Sequence, residues 1–140
     1  MIRDGVGVRA PRHDELDDLL RQVDDLSIHC PLTPQTRGLV GARELGLMKP
    51  GAVIVNTARG AVVDEEAMIA ALREGRLAGA GLDVFPDEPN VDPRLIALDN
   101  VVLTPHLGSA TRRTRVAMGM LAVGALRAVL LEHRRPPNAV

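Results

Sequence analysis

The chain has 140 residues, which fits one domain of ordinary size and leaves no room for two. Apolar residues make up 46% and charged residues 25%, close to a soluble globular average, which argues against a disordered or collagen-like chain. One Phe, no Trp, no Tyr and a formal charge of −1 argue equally against base-stacking nucleic-acid modules and against attraction to nucleic acid or anionic membranes.

The single cysteine, Cys30, has no internal disulfide partner, and no CxxC or His/Cys spacing points to a metal, in keeping with a reducing cytoplasm. Met1-Ile2-Arg3-Asp4-Gly5 lacks the apolar run of a signal peptide. The longest apolar stretch, Val116–Leu131, is interrupted by Gly119, Gly124 and Arg127 and is too short to span a bilayer. The expectation is a soluble cytoplasmic protein without nucleic-acid or membrane partners.

In chain order, Asp14–Gln22 carries Leu16, Leu19 and Leu20 at helical spacing, with acids in its first turn where the helix dipole favours them. Leu26–Cys30 reads as a strand stopped by Pro31. Ala42–Leu47 reads as a short helix closed by Lys49-Pro50-Gly51. Ala52-Val53-Ile54-Val55-Asn56 is a near-continuous β-branched run, the pattern of a strand buried on both faces of a parallel sheet. Asp64 offers an N-cap for a helix to Glu74 that ends at Gly75. Ala78–Val84 and Val101–Thr104 are further strands, and Thr111–His133 forms one long last helix. Strands alternating with helices define an α/β class with a parallel sheet.

Ligands of such sheets bind outside the carboxyl ends of the strands. Arg59 follows the second of these strands, Glu88 the third and His106 the fourth, each with Gly or Pro close by. A planar guanidinium holds a carboxylate through two parallel hydrogen bonds and can polarise a neighbouring carbonyl. A histidine moves a proton near neutrality, and a carboxylate on its other ring nitrogen fixes its orientation and favours the imidazolium. Together the three suit a 2-oxo acid, with Arg59 on the carboxylate and His106 protonating the carbonyl oxygen as hydride arrives. Singly, each also reads as an ordinary surface or turn residue.

Five segments occur in order: His29-Cys30-Pro31-Leu32-Thr33-Pro34, Met48 through Ala52 with Asn56-Thr57-Ala58-Arg59-Gly60, Gly79 through Phe85, Asp87-Glu88-Pro89, and Thr104-Pro105-His106-Leu107-Gly108-Ser109. From about Gly7 to its end the chain closely resembles the C-terminal part of the D-isomer-specific 2-hydroxyacid dehydrogenases, in their glyoxylate/hydroxypyruvate reductase-like branch. The resemblance implies a partial Rossmann-type doubly wound sheet and an NAD(P)-dependent oxidoreductase acting on a small 2-oxo or 2-hydroxy acid. It places Arg59, Glu88 and His106 on the family's substrate-binding Arg, its Glu and its acid/base His, and their 29-residue Arg-to-Glu separation agrees. It implies cofactor contacts at Cys30 and Pro31 on the adenosine side, at Thr57, Ala58, Arg59 and Asp83 facing the nicotinamide, and at His106, Gly108 and Ser109 in the closing loop. Asp83 sits among apolar neighbours, where a charge needs a partner.

The same resemblance places Gly7–Ala10 at the family's third strand and Asp24 just before its fourth. Gly5-Val6-Gly7-Val8-Arg9-Ala10 matches a relaxed G-x-G-x-x-A string, but only four residues precede it and Pro11 falls where a helix should run. The family's first βαβ unit and substrate domain are therefore expected to be absent, apart from a last helix, about 111–134, that would return to the substrate domain. Ala61, Pro86 and the Gly124-Ala125 pair depart from the common pattern without touching the three candidates. The fourth-strand segment becomes an open hydrophobic edge, so self-association or folding beside a complementing N-terminal segment is expected. Without a Gly-rich turn the isolated chain is expected to bind NAD(H) no tighter than about millimolar. Two readings follow: the catalytic part of a dehydrogenase, or a non-catalytic remnant that at most binds nucleotide weakly or oligomerises. The choice of acid, and of NAD or NADP, is open.

Overall fold

The computed structural model describes residues 15–136 and residue 139. They form two compact units, one ending at Leu103 and one beginning at Thr104. The segment Gly5–Ala10 and the start of the first expected helix at Asp14 lie outside the described residues.

The first unit is built on four strands: β1 (Asp25–Ile28), β2 (Ala52–Asn56), β3 (Leu77–Leu82) and β4 (Val101–Leu103). They pair in chain order and all run parallel. Register aligns their ends, because Ile28 pairs with Asn56, Asn56 with Leu82 and Leu82 with Leu103. A single sheet edge therefore collects the four carboxyl ends, and β1 closes the sheet on one side among the described residues.

Helices α1 (Leu16–Gln22), α2 (Ala42–Leu47) and α3 (Glu65–Arg73) pack in a row, α1 on α2 and α2 on α3, with α3 against β3. Leu20, Leu45, Ile54, Ile69 and Leu77 are fully buried between helices and sheet. Burying one such side chain contributes about 1.5–3 kcal/mol. Asp64 caps α3 by accepting the Ala67 N–H at 3.1 Å. At the other end Gly75, with φ of 69°, lets its own N–H reach the Leu72 carbonyl and that of Arg76 reach Ala71, which satisfies two carbonyls left over by the helix. Arg43 of α2 grips Asp17 of α1 through two 2.9 Å bonds and holds that carboxyl below its ordinary range.

The second unit consists of a turn segment and helix α5 (Arg112–Leu130). Thr111 caps α5 by accepting the Thr114 N–H at 3.2 Å. No described helix is long and apolar enough to cross a membrane.

Several boundaries differ from the sequence reading. The strand expected at Leu26–Cys30 runs over Asp25–Ile28, because pairing with β2 ends where Ile28 meets Asn56. The strand expected at Ala78–Val84 starts one residue earlier, on fully buried Leu77, and stops at Leu82, where both neighbours end. The edge strand is less apolar outward than expected: Leu26 and Ile28 turn into the core and leave Asp25 and Ser27 exposed. A one-turn helix, α4 (Pro93–Ile96), adds to the elements read from the sequence. Asp92 accepts the Arg94 N–H at 2.8 Å and Pro93 supplies a preset φ at the first helical position. A 3₁₀ turn at Gly60–Val62 adds to those elements as well.

Candidate functional site

The two buried polar side chains among the described residues, Asn56 and Asp83, sit at the carboxyl ends of adjacent strands. Both lie where chain must leave an apolar sheet, and buried polar groups need partners. The Asp83 N–H donates to the Asn56 carbonyl at 3.0 Å, extending the β2–β3 pairing past the last strand residues. The Asn56 amide turns along its own chain: Oδ1 accepts the Ala58 N–H and Nδ2 donates to the Arg59 carbonyl, each at 3.0 Å.

Thr57, Ala58 and Arg59 form the turn held in this way. Arg59 has an extended backbone and an exposed side chain, and its Nη1 donates to the Ala58 carbonyl at 2.6 Å. Gly60 follows and is buried. A Cβ on Gly60 would lie 2.1 Å from the Phe85 carbonyl carbon and 2.4 Å from the Pro86 nitrogen, so only glycine permits this approach of two backbones. The loop after β2 is thus seated directly on the loop after β3.

That second loop carries Glu88, whose Oε1 accepts the Phe85 N–H at 3.0 Å. The Glu88–Pro89 peptide is cis. Phe85 is buried and Glu88 exposed. The contact of Gly60 with Phe85–Pro86 therefore brings the Arg59 and Glu88 segments side by side.

A cleft of about 420 Å³ opens at the ends of β1 and β2, lined by His29, Cys30, Pro31, Leu32, Thr57, Ala58 and Arg59. Its size falls within the usual range for small-molecule sites. Five of these residues are sequence candidates. His29 and Leu32 join them in the cleft, and the His29 ring shares a 2.7 Å hydrogen bond with the Ser27 hydroxyl. Cys30 is a free, half-buried thiol. Asn56 joins the site too, and a short amide that ends a buried strand directly before a turn is its recognisable sign in the sequence.

His106, Gly108 and Ser109 belong to the second unit. His106 lies three residues beyond β4 with an exposed side chain and a φ of 53°, in the left-handed region. Its N–H donates to the Thr104 carbonyl at 3.0 Å, so the chain reverses tightly around Pro105. Left-handed non-glycine residues are uncommon and cluster at functional sites, with His among the types that tolerate the conformation.

An open parallel α/β sheet binds its ligands outside the carboxyl ends of the strands, which is where Asn56, Asp83 and the Arg59 and Glu88 loops gather. Comparison with known proteins narrows this. Residues 5–108 match the family model for the D-isomer specific 2-hydroxyacid dehydrogenase, NAD binding domain. The chain is 55% identical over 126 residues to a glyoxylate reductase of Aeropyrum pernix, covering 89% of this chain and 37% of that protein. A crystal structure of a protein from Thermus thermophilus superposes with a TM-score of 0.85 at 50% identity, covering 94% of this chain and 44% of the other. The NADPH-dependent glyoxylate/hydroxypyruvate reductase of Sinorhizobium meliloti, solved with NADP and malonate, gives a TM-score of 0.82 at 38% identity, covering 100% and 46%. The chain belongs to the D-isomer specific 2-hydroxyacid dehydrogenase family and carries sequence of its NAD-binding domain. It spans about two fifths of the length of these relatives.

Proposed function

We propose that the chain is the catalytic, cofactor-facing part of an NAD(P)-dependent 2-hydroxyacid dehydrogenase that interconverts a small 2-oxo acid, of the glyoxylate or hydroxypyruvate type, and its 2-hydroxy acid. The observation that carries this reading is the seating of Gly60 on Phe85–Pro86, which sets a guanidinium-bearing turn beside a carboxylate-bearing loop at the ligand-binding edge of the sheet.

The residues present suit a nicotinamide cofactor. Cys30 and Pro31 would line its adenosine side and Thr57, Ala58 and Asp83 its nicotinamide end, with Gly108 and Ser109 in the loop that follows His106. The sheet-edge cleft supports the first group, and the buried Asn56–Asp83 pair supports a polar contact at the second. When bound, the dihydronicotinamide supplies the hydride.

The remaining work falls to side chains. Arg59 has five N–H donors and uses one on the Ala58 carbonyl, which leaves capacity for a two-point grip on the substrate carboxylate. His106, as the imidazolium, donates its proton to the carbonyl oxygen in the reducing direction and recovers it in the oxidising one. Glu88 would hold the other ring nitrogen; a carboxylate can do so while one of its oxygens takes the Phe85 N–H. We further infer a cytoplasmic location, a last helix that returns toward a substrate domain, and association with a second copy or with a complementing N-terminal segment.

The test is kinetic, with the chain completed by the rest of a relative's length. His106→Ala should lower turnover by roughly 10²–10⁴-fold. Arg59→Ala should raise KM for the 2-oxo acid as well as lower the rate. Equal activity in parent and both variants would sink the reading.

A further inference from the structure

We propose that Asn56 is a positioning residue for substrate binding: its buried amide fixes the Thr57–Arg59 turn and so sets the point from which Arg59 meets the substrate carboxylate. The inference rests on the reading above that Arg59 binds that carboxylate.

Asn56 ends β2 on the buried face of the sheet, two residues after fully buried Ile54. It is only 2% exposed. An apolar side chain would pack there without a desolvation penalty, whereas an amide is tolerated only if both of its polar atoms find partners. Both do, and neither partner lies in the core. Oδ1 takes the N–H of Ala58 and Nδ2 gives to the carbonyl of Arg59, so one side chain clasps the turn at two points. Its backbone carbonyl meanwhile accepts from Asp83 at the end of β3. The turn is thereby referenced to two strands at once.

Arg59 is held from the other side as well. Its carbonyl accepts from the Val62 N–H at 3.2 Å, and Gly60 is wedged on the Phe85–Pro86 backbone. With both acceptor directions of the Arg59 carbonyl occupied, that peptide plane has one orientation, and the exposed guanidinium starts from a fixed root. Loss of the Asn56 amide would free the Ala58 N–H and one bond on the Arg59 carbonyl while leaving the Gly60 wedge in place. The root of Arg59 would then wander without the sheet unfolding. Misplacement of a binding group by about 1 Å can cost on the order of a hundredfold in rate.

Two experiments read this. In the completed enzyme, Asn56→Ala should raise KM for the 2-oxo acid by about tenfold to a hundredfold. Asn56→Ser, whose hydroxyl can still accept the Ala58 N–H, should recover part of that loss. Added to Arg59→Ala, Asn56→Ala should have little further effect, because it acts through the guanidinium already removed. In the 140-residue chain itself, amide exchange should show Ala58 unprotected in the Ala variant and protected in the Ser variant, with core strand amides unchanged. If Arg59→Ala raises KM but Asn56→Ala changes only the melting temperature, or if the two effects add, the positioning role is overturned and the carboxylate-binding role of Arg59 survives. If neither substitution moves KM, both fall. Should Asn56→Ala fail to fold, Asn56→Ser decides alone: a raised KM supports the proposal and an unchanged one overturns it.

Discussion

Helices α3 and α5 are both rich in apolar residues, yet they meet opposite fates. In α3 the apolar positions form one stripe, and Met68, Ile69, Ala71 and Leu72 are all buried. In α5 Ala128 alone is buried, while Met120, Leu121, Leu126 and Leu130 are each 60% exposed or more. The difference lies in patterning. A one-sided stripe is satisfied by one sheet face, whereas apolar residues all round a helix demand cover on several sides. Helix α3 is thus complete within its own unit, and α5 carries a sequence suited to surroundings its own unit does not supply.

Glycines sharpen the contrast, and the largest effect is expected from one of them. Gly60→Ala would drive a Cβ into the Phe85–Pro86 backbone, so the first unit should lose cooperative unfolding or fail to accumulate as folded protein, as seen by circular dichroism. Gly124 in α5 has nothing within 4 Å of a Cβ, and Gly124→Ala should instead raise helicity, by about 0.5–1 kcal/mol of helix propensity. Destabilisation by Gly124→Ala would break the comparison.

Core truncations come next in size. Ile54→Ala removes a fully buried side chain from β2 and should destabilise by about 2–5 kcal/mol in urea denaturation. Leu126→Ala in α5 should stay within about 0.5 kcal/mol. A large loss at Leu126 would mean that α5 is covered in solution.

The smallest effects concern pH, and two neighbouring glutamates differ in sign. The Arg94 guanidinium holds the Glu66 and Asp92 carboxyls below their ordinary range, as Arg43 does for Asp17. These depressed groups contribute stability that is present above the ordinary carboxylate pKa and is lost as pH falls below it. The arginines and Glu66 are exposed and Asp17 and Asp92 only half-buried, so the loss should be modest and should shrink with added salt. Burial, with Asp92 nearby, pushes the Glu65 carboxyl upward instead. Its ionised form is disfavoured in the folded chain, so Glu65→Gln should raise the urea midpoint at about pH 7 and leave it unchanged near pH 3. An equal gain at both pH values would remove the charge from the explanation.

How much of this was legible in the sequence depended on whether local chemistry or tertiary contact decides each feature. The β-branched run Ala52–Asn56 and the helix Ala42–Leu47 appear with the expected bounds, because strand burial and the Lys49-Pro50-Gly51 stop are local. Asp64 caps the helix it was expected to cap, and Gly75 ends it. Helix α4 is a single turn without periodicity, and its one sign in the sequence is Asp92 before Pro93. At the site, strand order alone brought Arg59 and Glu88 to one edge. The wedge of Gly60 depends on where a distant segment comes to lie and leaves no mark in the sequence, nor does the left-handed backbone of His106, whereas the clasp of Asn56 is local and its sign is an amide that ends a buried strand.

The spatial order of the described strands is also their order of synthesis, from β1 to β4. None of them pairs with a hairpin neighbour, so every ladder must wait for a crossover connection to close, which slows folding compared with local pairing. Vectorial emergence from the ribosome suits this arrangement. Each of β2, β3 and β4 finds its docking edge already present, and none has to insert between two strands that have paired. Among the described strands, pairing in chain order is therefore open from β1 to β4, and the Gly60 contact can form only after Phe85 and Pro86 have been made.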